Sequence, residues 1–289
     1  MNTTEATLAR RSAIPASLLT APAASVEARQ TWTQEGIWLE IRAEAEQTAA
    51  QEPLLLPRLK TMVLDRPTLD AAIAAVIARR LATEDLPEAA LRELFDSAMR
   101  DTPGIAQRAA ADLAAVKDRD PACPNLLHVV LNLKGFQSLQ AYRIAHALWQ
   151  DGRQALAFAL SNQASVALGV DIHPAARIGC GVMFDHATGI VIGETTVVED
   201  HVSILQNVTL GGTGKEHGDR HPKIRSGVMI GAGAKILGNI EVGTMSKIAA
   251  GSVVLRPVPA HCTVAGVPAR VVRHHRDDSC PSDEMDQTI

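Results

Sequence analysis

One feature constrains the fold of this chain more than any other: from residue 172, apolar side chains recur every six residues. The spacing stops after residue 208 and resumes at residue 224. Twelve of its thirteen positions are apolar: Ile172, Ile178, Phe184, Ile190, Thr196, Val202, Val208, Ile224, Ile230, Ile236, Val242, Ile248 and Val254. A six-residue period is typical of a β-helix, in which each side of a coil turns one residue inward and each coil covers the next. Residues 169–273 are therefore predicted to form a stack of parallel coils.

The preceding part of the chain, residues 32–168, has a composition that favours helix. Prolines stand near the starts of several segments, and apolar residues follow at helical spacing. The pattern predicts helices from Thr68 to Leu81, from Asp85 to about Met99, from Thr102 to about Lys117 and from Gly135 to Gln150. Six to eight helices followed directly by coils give an α+β fold.

Three segments stand apart from these two domains. Residues 1–31 carry a thin apolar stretch interrupted by prolines, which predicts a disordered leader rather than a signal peptide. Residues 274–289 are polar and charged, and we expect a flexible tail. The polar insertion GKEHGDRHPK at 214–223 breaks the repeat. Because insertions in repeat folds emerge as loops on one face, often the binding face, a site is expected there.

Composition excludes several classes of protein. A net charge of −4 argues against binding to nucleic acid or a membrane surface, and no apolar run approaches the length of a membrane span. The four cysteines form no CxxC pair, which indicates free thiols in a reducing compartment and hence a cytoplasmic protein. Aromatic residues make up 3% of the chain, so the core must be aliphatic.

Several segments together resemble the serine O-acetyltransferases of the hexapeptide-repeat acyltransferase superfamily. In the coils they are VDIHPAARIG (170–179), DHATGIVIGET (185–195), TLGGTGK (209–215), GDRHPKI (218–224), VMIGAGAKILGNIEVG (228–243) and AGVPAR (265–270); in the helical part they are DRDPA (118–122) and LKGFQSLQAYRIAHALW (133–149). The resemblance runs from about residue 38 to residue 273. It implies a left-handed β-helix and transfer of acetyl from acetyl-CoA to the hydroxyl of L-serine, the first step of cysteine biosynthesis. Acetyl-CoA is then a co-substrate, with no permanently bound cofactor and no metal.

The reaction needs a general base, because the serine hydroxyl is a poor nucleophile at neutral pH. The resemblance assigns this role to His186, with Asp171 holding the imidazole in the correct tautomer. The two are fifteen residues apart, slightly less than one coil of eighteen residues, so they can lie on neighbouring coils near the same corner. Transfer is expected to be direct, and Cys180 is interpreted as a small packing residue rather than a nucleophile.

The substrate's charges require opposite charges at each end. The resemblance assigns Asp120 and Asp185 to the serine ammonium, and Arg220 with His221 to its carboxylate. Asp120 lies in the helical part, so the site would be shared between the domains. An Asp before a proline is also a common helix N-cap, and this alternative stays open.

Coenzyme A is expected to lie along a groove between stacked coils, which in trimeric relatives lies between subunits. Small residues would let its pantetheine arm approach, and basic residues would meet its phosphates: Gly212, Thr213, Ala232, Gly251, Lys247 and Arg270. The same small residues are also needed merely to turn tight coils. A late coil, VGTMSKIAAG (242–251), departs from the family pattern through Met245 and Ala249.

The resemblance also implies partners. It implies a hexamer built as a dimer of trimers, and feedback inhibition by L-cysteine bound in the serine site. The C-terminal Ile289 is expected to insert into O-acetylserine sulfhydrylase, since a free carboxylate beside an aliphatic side chain suits such a pocket.

Three other functions remain possible at this point. A hexapeptide-repeat enzyme could acylate a sugar or another amine, although GDRHPK and the helical part argue against it. A zinc enzyme related to the β-helix carbonic anhydrases would use histidines, of which the coils offer five: His173, His186, His201, His217 and His221. The third is a non-catalytic scaffold.

Overall fold

The structure is a computed structural model that describes residues 32–102, 104–214, 217–275 and 280–289. The predicted leader, residues 1–31, lies outside the described residues. So do Pro103 at the predicted start of a helix, residues 215–216 of the predicted insertion and residues 276–279 of the predicted tail.

Eight α-helices make up the first part of the described chain. They are α1 (Gln34–Gln51), α2 (Leu56–Leu59), α3 (Leu69–Leu81), α4 (Glu88–Asp101), α5 (Ile105–Arg119), α6 (Leu126–Asn132), α7 (Lys134–Gln150) and α8 (Gln154–Leu168). Side-chain oxygens of Thr33, Thr68 and Asn125 cap α1, α3 and α6 by accepting main-chain N–H groups. The helices predicted from the sequence begin and end within about three residues of these bounds.

Fifteen short strands follow. They are β1 (Asp171–Ile172), β2 (Arg177–Ile178), β3 (Met183–Phe184), β4 (Val191–Ile192), β5 (Val197–Val198), β6 (Ser203–Ile204), β7 (Thr209–Gly211), β8 (Lys223–Ile224), β9 (Met229–Ile230), β10 (Lys235–Leu237), β11 (Glu241–Val242), β12 (Lys247–Ile248), β13 (Val253–Val254), β14 (Cys262–Gly266) and β15 (Ala269–His274) in the described residues. Sheet A has the order β1-β4-β7-β10-β13, sheet B β2-β5-β8-β11 and sheet C β3-β6-β9-β12-β14-β15. Apart from the antiparallel β14–β15 pair, neighbours are parallel, and the chain passes repeatedly from sheet A to B to C. The predicted left-handed β-helix is confirmed.

The inward positions depart from the predicted register at one place. All thirteen predicted positions are buried, but strand pairing aligns Ile172 with Ile192 rather than with Ile190. Two extra residues at the corner between β3 and β4 shift the frame. The prediction of one unbroken register up to the insertion is therefore wrong: the pattern breaks first at the corner that begins with Asp185.

Helix α7 joins the helical part to the coils. Its Leu139 and Tyr142 are buried in the core of the β-helix, whereas its other buried apolar residues pack among the helices. The Tyr142 hydroxyl donates to the main-chain oxygen of Ala176 at 2.5 Å and accepts the amide of Ile178 at 3.2 Å. The first coil, which has no preceding coil to cover it, is thus covered by a helix.

A buried ion pair reinforces the same junction. Arg143 Nη2 lies 2.7 Å from Asp112 Oδ2, and both side chains are almost fully buried. Arg143 also donates to the oxygen of Gly179 at 2.8 Å, and Asp112 Oδ1 accepts the amide of Val182 at 3.0 Å. Desolvated charges are tolerated only when they are bonded in this way, so α5 and α7 are both fastened to the turn before β3.

The described end of the chain falls within the flexible tail predicted for residues 274–289. A short helix, α9 (Pro281–Glu284), is followed by residues that bond to the body of the protein. Arg119 Nε lies 2.9 Å from Asp283 Oδ1, and Lys247 Nζ donates to the main-chain oxygens of Asp286 and Thr288 at 2.9 and 2.7 Å. The described residues 280–289 thus bond to cations on the body of the protein, and the mobility predicted from composition stays a prediction.

Candidate active site

A cavity of about 380 Å³ lies where the helices meet the end of β3. The chain after α5 and the junction of α6 with α7 form one wall, and the corner after β3 forms the other. Asp120, Asp185 and His186 line this cavity together with Lys134. The structure therefore brings the predicted general base and both predicted ammonium ligands to one place.

Asp120 reaches the cavity from the end of helix α5. Its Oδ1 accepts the amide of Ala122 at 2.8 Å, and its main-chain oxygen accepts the amide of Cys123 at 3.0 Å. It is not the N-cap of the next helix, because the side chain of Asn125 caps α6. The alternative interpretation of Asp120 as a helix N-cap is therefore wrong.

Asp185 and His186 stand on the corner where the register shifts. His186 has a φ of 53° and Ala187 a φ of 60°, a left-handed conformation that residues other than glycine seldom adopt. The His186 side chain is 75% exposed while that of Asp185 is 24% exposed, and Nε2 lies 3.9 Å from Oδ1. At this corner the imidazole of His186 is thus exposed to solvent beside the mostly buried carboxylate of Asp185.

The electrostatics of Asp185 suit a cationic ligand. Burial raises the pKa of its carboxyl above the ordinary value, the nearby carboxylate of Asp120 raises it further, and the His186 imidazole opposes the change. Two carboxylates that destabilise one another favour a positive group between them. An ammonium placed there would relieve the repulsion.

Asp171 starts β1 and pairs in register with Val191, five residues beyond His186. The hydrogen bonds and ion pairs found among the described residues do not include one between Asp171 and His186. Asp171 acts electrostatically on the imidazole of His173. Burial lowers the pKa of His173, and the carboxylates of Glu194 and Asp171 partly oppose this decrease. Asp171 therefore lies in sheet A, beside the strand that follows the His186 corner.

Arg220 and His221 lie at a different corner, in the loop between β7 and β8. Arg220 Nη2 donates to Glu194 Oε2 at 2.6 Å, and the pKa of Glu194 is lowered chiefly by this bond. His221 Nδ1 accepts the amide of Thr195 at 3.2 Å, so its ring proton belongs on Nε2. Burial, with help from Arg220, lowers the pKa of His221. The neutral imidazole is therefore the expected form.

Strand β4 separates this corner from the one that carries His186. Neither Arg220 nor His221 is among the residues that line the cavity of Asp120 and Asp185.

The residues predicted for coenzyme A do not lie together in one chain. Ala232 and Gly251 lie on the corner between sheets C and A, the same edge as His186, where the Gly251 amide donates to the oxygen of Ala232 at 2.8 Å. Gly212 and Thr213 follow β7 at the Arg220 corner.

The two predicted phosphate ligands are separated from each other. Arg270 is exposed on β15. Lys247 is buried in sheet C with its ammonium bonded to the C-terminal segment, so a phosphate could reach it only if that segment moved.

Three residues of the site region were missed by sequence reasoning. Lys134, the first residue of α7, donates from Nζ to Thr188 Oγ1 on the His186 corner. Glu194 and Thr195 hold Arg220 and His221 as described above. All three lie within the segments LKGFQ and GIVIGET, so the motifs contained the signal, but which side chains they contact depends on the tertiary packing.

The described residues contain neither a recognisable metal site nor a membrane-spanning helix. No group of three or more His, Cys, Asp or Glu side chains in them has the arrangement of a metal site. None of their helices is long and apolar enough to span a membrane.

Comparison with known proteins identifies the family. Residues 37–141 match the family model "Serine acetyltransferase, N-terminal", and residues 221–256 match "Bacterial transferase hexapeptide (six repeats)". The chain is 56% identical over 253 residues to the serine acetyltransferase of Salmonella typhimurium, an alignment that spans 88% of this chain and 92% of the relative.

Solved structures agree with this match. A serine acetyltransferase in complex with cysteine superposes with a TM-score of 0.87 at 52% identity, over 89% of this chain and 100% of that one. The serine acetyltransferase of Brucella abortus strain S19 in complex with coenzyme A gives a TM-score of 0.82 at 52% identity, over 83% and 96% of the two chains. Identity of this extent on a shared fold shows that the chain belongs to the serine acetyltransferases, which transfer the acetyl group of acetyl-CoA to the hydroxyl of serine in cysteine biosynthesis.

Proposed function

We propose that His186 is the general base for this transfer. The observation that carries the proposal is the cavity in which His186 stands beside Asp120 and Asp185. With serine bound there, the neutral imidazole takes the hydroxyl proton as the oxygen attacks the thioester carbonyl of acetyl-CoA. The imidazolium then returns the proton to the departing CoA thiolate. Transfer is direct, so no covalent enzyme intermediate forms.

Asp171 is the proposed partner of His186. Both belong to the first two coils, on either side of the corner that leads into sheet A. Catalytic hydrogen bonds are often long without substrate and tighten when it binds, so the open arrangement is compatible with this role. The carboxylate would orient the imidazole and stabilise the imidazolium.

Serine is held by its two charges in this proposal. Asp120 and Asp185 take the ammonium, which compensates the burial that chiefly raises the pKa of Asp185 and relieves the added repulsion from Asp120. Arg220 and His221 take the carboxylate, the guanidinium through its several N–H groups and the imidazole through its Nε2 proton. Since the two pairs occupy different corners of the coil, we propose that they meet between neighbouring copies of a trimer, and that two trimers form the hexamer.

Coenzyme A would then lie along the groove between those copies. The edge that carries His186 continues past Ala232 and Gly251, where main-chain groups are unobstructed by large side chains. Gly212 and Thr213 of the neighbouring copy would form the facing side of the groove.

A subunit-mixing experiment tests the shared site. His186→Ala and Arg220→Gln variants are each expected to be inactive, but mixed trimers refolded from equal amounts should regain about a quarter of the wild-type rate, the fraction of interfaces with two intact halves. If both halves belong to one chain, mixed trimers stay inactive, which contradicts the proposed arrangement. The assay is acetyl-CoA consumption with L-serine.

Cysteine and the sulfhydrylase complete the proposal. L-cysteine carries the same ammonium and carboxylate as serine and would compete for the same charges, so it should raise the apparent KM for serine. Ile289, which is 59% exposed, is the proposed anchor for O-acetylserine sulfhydrylase. Deleting Ile289 should abolish co-purification with the sulfhydrylase while leaving acetyl transfer intact; unchanged co-purification would contradict this role. The four free thiols support a cytoplasmic location.

A further inference from the structure

Arg119 is a buried cation that joins three distant parts of the chain. It is the last residue of α5, and its side chain is 4% exposed. Nη1 donates to the oxygen of Gly181 at 2.9 Å and to Ser203 Oγ at 3.2 Å, and Nε donates to Asp283 Oδ1 at 2.9 Å. One guanidinium thus binds a turn of the first coil, the next strand of sheet C and the C-terminal segment.

The C-terminal segment is fixed at this point by more than the ion pair. Ser203 Oγ donates to the oxygen of Ser282 at 2.9 Å, and the Ser282 amide donates to the oxygen of Gly227. Ser203 and Ser282 are both fully buried. These buried contacts of Arg119, Ser203 and Ser282, called the joint below, are therefore those of a protein interior rather than of an exposed ion pair.

The joint lies directly behind the proposed ammonium site. Asp120 is the residue after Arg119. Asp185 is four residues after Gly181, and only Val182 and the short strand β3 lie between them. The Arg119–Gly181 bond therefore ties together the two chain segments whose ends carry the facing carboxylates.

We propose that Arg119, with Asp283 of the C-terminal segment as its counter-charge, is a positioning residue for the serine ammonium. This inference rests on the proposed function, because it assumes that Asp120 and Asp185 bind the ammonium. Arg119 does not touch the substrate: it fixes the end of α5 against the turn before β3. Asp283 neutralises the buried guanidinium, which would otherwise draw water into the joint. The C-terminal segment is thereby a structural part of the serine site.

The test compares single and double variants of the whole chain. Arg119→Gln should raise the KM for L-serine about tenfold, since small misplacements of binding groups are costly, with the KM for acetyl-CoA nearly unchanged. Asp283→Asn changes the more exposed partner of the ion pair and should raise the KM for L-serine about threefold. Because the two residues act through one joint, the double variant should be no worse than Arg119→Gln alone. Arg119→Lys keeps the charge and should restore part of the affinity.

Arg42→Gln is the matched control. Arg42 also donates to main-chain oxygens, those of Leu64 and Arg66, each at 3.1 Å, but away from the cavity. Its removal should leave the KM for serine unchanged even if the melting temperature falls.

The possible outcomes separate this inference from the proposed function. Asp120→Asn should raise the serine KM if the proposed site is correct. If it does so while Arg119→Gln and Asp283→Asn do not, the positioning role is refuted and the site stands. Equal rises in the KM values for serine and acetyl-CoA would also refute it, because a merely structural loss affects both substrates. Additive effects in the double variant would refute it as well, because they would mean that the two residues act independently. If Arg119→Gln does not fold, Asp283→Asn alone decides.

Discussion

Replacing Asp185 by Asn should make the protein more stable and less able to bind serine. In the folded chain the Asp185 carboxyl has a raised pKa, first because it is desolvated and also because Asp120 repels it. A raised pKa means that the folded state binds the proton more tightly than the unfolded state. That contribution to stability is fully present below the unfolded pKa and is lost as pH rises through the folded pKa. At neutral pH the ionised carboxylate is therefore a net cost, which an amide of the same shape removes.

The favourable contact with His186 does not reverse this sign. Its Nε2 is 3.9 Å from the carboxylate and the imidazole is 75% exposed, and an ion pair in that position is worth little. Stabilising substitutions that improve the charge distribution commonly gain about 0.5–2 kcal/mol, and about 1 kcal/mol is expected here. For a chain of this size the gain corresponds to a rise in melting temperature of about 2–4 °C. The gain should shrink as pH falls, because the wild-type carboxyl then takes up its proton.

Serine binding should change in the opposite direction. Loss of a charge-assisted bond to the ammonium costs about 1.5–3 kcal/mol, so the KM for serine should rise about ten- to a hundredfold. Asp200→Asn is the control: Asp200 lies on a different turn of the coil, where Oδ1 accepts the Cys180 amide at 2.8 Å, and its replacement should leave the KM for serine unaltered. Thermal melts and steady-state kinetics on both variants decide. A lower melting temperature for Asp185→Asn, or an unchanged KM, would refute the reasoning.

Three further outcomes follow from the same geometry. Gly135→Ala should lower both the melting temperature and kcat, because a Cβ on Gly135 would overlap the main-chain oxygen of Phe184 and push α7 away from β3. A melting temperature and a kcat equal to those of the wild type would contradict the close approach of α7 to Phe184. Asp112→Asn should lower the free energy of unfolding by about 3–5 kcal/mol, since it leaves the Arg143 guanidinium buried without its counter-charge. Denaturant unfolding measures this, and a decrease of less than about 1 kcal/mol would show that the ion pair is dispensable. The dissociation constant for serine should increase as pH falls from about 8 to about 5. The increase should begin at a higher pH than for an ordinary Asp, because the pKa of Asp185 is raised. Calorimetry at several pH values measures the constant, and a profile that does not change with pH would exclude Asp185 as the titrating ligand.

The sequence predicted the coils because their inward residues are determined by a local period. The period nevertheless concealed the first break. Each six-residue side has two inward positions, and Ile190 is as fully buried as Ile192, so a shift of two residues left the apolar pattern intact. The left-handed turn at His186 and Ala187 carries no glycine at those two positions, and no turn signal revealed it.

The site was predictable as a set of residues but not as an arrangement. Motifs supplied Asp120, Asp185 and His186, whereas the contacts of Arg119 join residues as far as 164 positions apart. Contacts of that range depend on tertiary packing, which a single sequence does not display. The bonds of the C-terminal segment illustrate the same limit, because the cations that pair with Asp283 and Asp286 lie elsewhere in the chain.

The most direct test of the account is the rate of acetyl transfer to L-serine by His186→Ala. We expect kcat to fall about 10²–10⁴-fold, the usual contribution of a general base, with the melting temperature and oligomeric state retained. His201→Ala is the matched control, because His201 is also exposed and has a left-handed φ of 58°, but it lies on another corner of the coil. Its rate should equal that of the wild type. A His186→Ala variant that keeps kcat within about threefold of wild type would contradict the assignment of His186 as the base.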